Sequence, residues 1–175
     1  MNSSSFRRLF IFVVMVLLQS FVFTKLPLTT YVQPCIYVLF ILLLPVGHSR
    51  TTALLWAFCL GLCVDVLTSD VIGLNTAVTV ALAFIRPYLL KLFLPKSDID
   101  AFIIPTSKTL GLRQFLGYSL LSLLFHQTLF FFLDTFAFYD IFHTLLRILL
   151  STACSMIFLL LLQSLFHENR KALHT

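Results

Sequence analysis

The chain has 175 residues, 59% of them hydrophobic and only 11% charged, against about 25% charged in an ordinary soluble domain. That composition excludes a soluble fold, which has no means of hiding so much apolar surface. The net charge of +5 comes from basic residues scattered at block ends, which excludes a nucleic-acid-binding patch.

Leu and Phe stand in blocks that are apolar all round rather than on one stripe, so lipid is their expected solvent. Six blocks have spanning length: residues 6–24, 31–47, 51–67, 71–90, 112–133 and 144–166. The expected fold is an all-α polytopic membrane protein, a single domain over residues 1–175 built as a six-transmembrane-helix bundle.

Arg7 and Arg8 precede the first block, as in a secretory signal, but residues 20–25 lack a small-x-small cleavage site. The block reads as a retained anchor.

The third block carries Ala53, Ala57, Gly61 and Asp65 at successive i+4 positions, one small-residue face that ends in a carboxylate. The fourth repeats the pattern with Gly73, Ala77 and Ala81. Small residues let helix backbones approach closely in lipid, so the two blocks are expected to form a tight hairpin. In the connecting loop Ser69 or Asp70 can cap the next helix, and Gly73 permits a close approach or a turn conformation closed to other residues. A carboxylate in a span needs a partner. Asn75 across the hairpin and Arg147 in the sixth block are the candidates, and a packing role outweighs proton transfer or ligand coordination.

At the far end of the fourth block, Arg86-Pro87 reads as an interfacial anchor followed by a helix kink. The loop from Lys91 to Leu112 mixes charge with Pro95 and Pro105, as a solvated connector does. Ser119, Ser122 and His126 in the fifth block, and Arg147, Ser151 and Ser155 in the sixth, form polar faces expected to bond between helices. His126 reads as a satisfied bundle histidine rather than a pH switch. Arg147 can also snorkel outward.

Cys35, Cys59, Cys63 and Cys154 all fall in predicted spans. Cys59 and Cys63, at i and i+4, have Cβ atoms roughly 5–6 Å apart, too far for a disulfide. No further metal ligand stands near them, so they read as small apolar packing residues.

With the N-terminus inside, all of the 12 Lys and Arg residues except Lys25 and Arg147 fall on the cytoplasmic side. An even number of spans returns the C-terminal tail to that side. No nucleophile–base arrangement, carboxylate pair, phosphate loop or metal spacing appears. The expectation is no enzyme, no cofactor and no metal.

The stretch Leu42-Leu-Leu-Pro45, followed by Gly61-Leu-Cys-Val-Asp65 closing one span and Gly73-Leu-Asn75-Thr-Ala77 opening the next, resembles the rod shape-determining protein MreD family. Ala83-Phe-Ile-Arg86-Pro87-Tyr88, His126 and residues 130–132 resemble its Bacteroidetes-type branch. The specific part runs only from Leu42 to Pro87. The resemblance implies a non-enzymatic component of the bacterial inner (cytoplasmic) membrane, multi-pass with both termini cytoplasmic. Its partners would be the periplasmic scaffold MreC and the MreB, RodA and penicillin-binding-protein complex that makes peptidoglycan.

That family is similar in fold to the substrate-binding components of energy-coupling-factor transporters, which makes a vitamin-type uptake subunit the alternative. Those components dock through an Ala-x-x-x-Ala face on the first span, and residues 6–24 contain no alanine.

Overall fold

The computed structural model of the chain describes residues 3–23, 32–47, 49–68, 71–94, 103–135 and 141–168. Helix α1 (Ser3–Leu17) continues as a π-helical segment, Leu18–Phe23. A short α2 (Val38–Leu42) follows, then α3 (Arg50–Thr68), α4 (Leu74–Phe93), the single turn α5 (Ser107–Leu110), α6 (Leu112–Thr135) and α7 (Ile141–Glu168). The described residues are all helical or irregular, and four helices are long and apolar enough to cross a membrane: α3, α4, α6 and α7.

Capping sets the helix starts. Ser49 accepts the amide of Thr52 and pairs hydroxyl to hydroxyl with it at 2.6 Å, opening α3. Thr106 and Thr109 form a reciprocal capping box that opens α5. Part of the predicted connector between the fourth and fifth blocks is thus folded, and it docks on the bundle, because Val46 N donates to Ile103 O at 2.9 Å and Pro105 is buried.

Residues 31–47 were expected as a spanning helix, and here the structure differs. Residues 32–36 are extended, α2 has only five residues, and Leu43 onward turns. Cys35 to Leu42 are each at most 4% exposed, the most deeply enclosed stretch among the described residues. Non-helical backbone is tolerated at membrane depth only when protein surrounds it, and α1, α3, α4 and α6 all pack against α2. Pro34 removes an amide and biases Gln33 to extended backbone.

The extended piece finds its hydrogen bonds in side chains. Gln33 N donates to Ser151 Oγ at 3.0 Å and Cys35 N to Ser155 Oγ at 3.0 Å. Alternate residues of an extended chain are about 6.6 Å apart, and i,i+4 residues of a helix advance about 6 Å, so the two spacings match. Gln19 donates to Pro34 O at 3.0 Å and accepts from Ile36 N at 2.9 Å, while Gln127 Nε2 donates to Gln33 O at 3.0 Å. The polar face of the sixth block therefore serves the broken backbone as well as another helix, because Gln127 Nε2 of α6 also donates to Ser155 Oγ at 3.4 Å. Ser119 and Ser122 differ from the expectation of bonds between helices: Ser122 donates to Tyr118 O of its own helix at 2.8 Å, and Ser119 Oγ is buried without a partner.

Candidate functional site

The α3–α4 hairpin positions the residues of the recognised pattern. Ala53, Ala57, Gly61 and Asp65 are all buried. At Gly61 a Cβ would meet the Thr76 Cα and lie 2.8 Å from Thr76 N and 2.9 Å from Asn75 O, so only glycine permits this crossing. The matching stripe expected on the fourth block does not face inward. Ala77 is exposed and Ala81 half-buried, and the inner face of α4 is formed by Asn75, Thr76, Thr79, Leu82, Ala83 and Arg86. The helix starts one residue after Gly73, whose φ of 99° rotates the stripe away from the alanines. That left-handed backbone favours glycine.

Asp65 caps α4 from the neighbouring helix. Its Oδ1 accepts from Asn75 N at 2.9 Å and Asn75 Nδ2 at 3.0 Å; its Oδ2 accepts from Gly73 N at 3.0 Å, Thr76 N at 2.9 Å and the Thr76 hydroxyl. Amides at a helix N-terminus lack intrahelical partners and carry the positive end of the helix dipole, which is why an anionic side chain is stable here. Ser69 and Asp70, the expected caps, lie outside the described residues. Arg147 is not the partner of Asp65, because its guanidinium lies over the Phe131 ring, 4.5 Å from the centroid.

Asn75 extends the network inward. Its Oδ1 accepts from the Tyr37 hydroxyl at 2.9 Å, and that hydroxyl lies 3.0 Å from His126 Nε2. With the Asn75 amide nitrogen turned toward Asp65, the hydroxyl proton goes to Asn75. The Tyr37 oxygen then accepts from His126, which fixes the Nε2–H tautomer and leaves Nδ1 buried without a partner. His126 thus bonds as a bundle histidine on one side only. Asp65 and His126 are linked through Asn75 and Tyr37 and do not meet.

Arg86 is buried, at 3% exposure, where an interfacial anchor was expected. Its Nε donates to Tyr118 Oη at 3.1 Å, and Nη2 donates to the carbonyls of Leu42, at 3.4 Å, and Leu44. Tyr118 also donates to Leu42 O at 3.4 Å. The cation ends α2 as the anion Asp65 begins α4, and both satisfy terminal backbone groups. Pro45 follows that contact, half-buried, and Pro87 sits inside a helix that continues to Phe93.

No family model matches the chain, and no curated protein or solved structure matches it.

Gln19, Gln127 and Tyr37 carry much of this network and were not singled out in the sequence. The available signal was a polar or hydroxyl group inside an apolar block, which in lipid implies a buried partner. Beside the hairpin turn, a cleft of about 170 Å³ is lined by Gln19, Gln33, Cys35, Thr68, Asn75 and Asp134 with apolar neighbours. Among the described residues no three His, Cys, Asp or Glu side chains gather as metal ligands. Cys35 is buried and Cys59 exposed, with Cys63 and Cys154 between, all as free thiols.

Proposed function

We propose that the chain is a non-enzymatic component of the bacterial cell-elongation machinery in the inner membrane. In this role it binds an MreC-type scaffold and helps regulate peptidoglycan synthesis with MreB, RodA and a penicillin-binding protein. The observation that carries the reading is that Gly61, Asp65, Gly73 and Asn75, the residues of the family-like pattern, act together in one hairpin cap. A pattern of that kind reads as a structural module rather than a catalytic one.

The reading includes six crossings with both termini cytoplasmic. We read residues 32–47 as one of the six, a broken crossing, and this is supported by Tyr37 meeting Asn75 near one end of α4 and Leu44 meeting Arg86 eleven residues on, about 16 Å along the helix axis. Depleting the protein in its host is expected to turn rods into spheres. Unchanged cell width and length after depletion would contradict the reading.

A second reading, a substrate-binding subunit of a vitamin-type transporter with that fold, is favoured by the polar cleft at the hairpin end. The absence of alanine from residues 6–24 weighs against it. Saturable binding of a vitamin-sized ligand by the purified chain would reverse the order of the two.

A further inference from the structure

Arg147 stands in α7 six residues after Ile141, about 9 Å from the helix start. The Phe131 ring covers one face of its guanidinium, at 4.5 Å from the centroid. Its buried Nε has no hydrogen-bond partner, and no carboxylate among the described residues pairs with it. Asp65 is already occupied by the amides of Gly73, Asn75 and Thr76.

The surroundings are apolar. Leu145, Leu146, Leu149 and Leu150 are 41% to 58% exposed, a surface that suits acyl chains. A cation among such residues is costly without an anion, and none of the described residues supplies one to Arg147.

Direction selects the source. Helical side chains lean toward the N-terminus of their helix, so Arg147 reaches toward the Ile141 end, where headgroups begin. A carboxylate on a partner's span would instead have to be buried at greater depth. The guanidinium fork matches phosphate oxygens in two-pronged geometry, and stacking on an aromatic ring leaves the terminal Nη edge, away from the buried Nε, to meet them.

We propose that Arg147, backed by Phe131, anchors the phosphate of a membrane phospholipid whose acyl chains lie along the leucines of α7. The site takes a phosphodiester headgroup and needs no partner protein.

The test is native mass spectrometry of the full chain, purified in detergent, stripped of lipid and titrated with phosphatidylglycerol. The expected result is a bound lipid whose affinity falls about tenfold in Arg147→Gln, falls less in Arg147→Lys, and is unchanged in Lys91→Gln at the opposite end. Diacylglycerol of the same chains is expected not to bind, and inorganic phosphate not to displace the lipid. Circular dichroism checks that each variant folds. If Arg147→Gln does not fold, Phe131→Leu keeps the charge, removes the ring and is expected to weaken binding about threefold.

Equal lipid binding by the wild type and Arg147→Gln would overturn the proposal, as would equal binding of diacylglycerol or an equal loss in Lys91→Gln. Unchanged lipid binding with lost association to a partner protein would assign Arg147 to that partner and also overturn it. Because the readout needs no scaffold protein, its failure is distinct from failure of the cell-elongation reading.

Discussion

Asp65, in the last turn of α3, caps α4 by accepting the backbone amides of Asn75 and Thr76, both at 2.9 Å. One carboxylate therefore fixes the register of two helices. Asp65→Ala leaves these buried amides without acceptors and is expected to lower unfolding free energy by about 3 kcal/mol. Asp65→Asn, which keeps one acceptor oxygen, should lose about half of that. Unfolding by SDS titration in mixed micelles measures both, and a loss below about 1 kcal/mol for the alanine variant would show that the cap is dispensable.

The two hairpin glycines are required for different reasons, and substitutions separate them. Gly61→Ala drives a methyl group into the Thr76 backbone and should cost about 1–3 kcal/mol through helix separation. A Cβ at Gly73 would meet nothing within 4 Å, so Gly73→Ala costs only the strain of φ 99°, about 1–2 kcal/mol. Crosslinking between cysteines placed across α3 and α4 should therefore weaken in Gly61→Ala and persist in Gly73→Ala.

Ser151 and Ser155 act as a pair on the extended segment. Each serine-to-alanine change strands a backbone amide, costing about 1–3 kcal/mol. The double variant should depart from additivity, because both serines hold one segment. Cys35, 2% exposed, reports on it. In a background without the other cysteines it should resist a membrane-permeant maleimide in the wild type and react at least about tenfold faster in the double variant, in proportion to a local opening easier by more than 1.4 kcal/mol.

Arg86 should tolerate no replacement by lysine, because an ammonium cannot serve Tyr118, Leu42 and Leu44 through one planar fork. Arg86→Lys is expected to cost about 2 kcal/mol and Arg86→Ala about 3–5 kcal/mol, the latter leaving buried carbonyls unpaired. A double-mutant cycle with Tyr118→Phe, read by thermal unfolding in detergent, should give a coupling near 1 kcal/mol. Independent effects would show that Tyr118 does not share the site.

The hairpin was legible in the sequence because its signals are local. Glycine and alanine at i+4 marked the inner face of α3, and a lone carboxylate demanded a donor, which Asn75 supplies. The departure from helix within residues 32–47 was hidden by the same apolar composition that revealed the long helices. A buried extended strand and a buried helix both read as continuous hydrophobic runs, and only Pro34 marked the difference. Arg86 was misplaced because its position near a span end suggests an interface, while its true partners, the carbonyls of Leu42 and Leu44, are 44 and 42 residues away in the chain. The alanines of α4 misled for a related reason: periodicity identifies a stripe, but the turn at Gly73 decides where the stripe points.

We propose that this bundle binds the single span of an MreC-type scaffold. Size-exclusion chromatography of the two purified proteins, reconstituted together in nanodiscs and each verified as folded, tests it most directly. Co-elution as one complex, abolished when the scaffold's span is replaced by polyleucine, is the predicted result. Separate elution of two folded proteins over the micromolar range would show that the bundle does not bind that span.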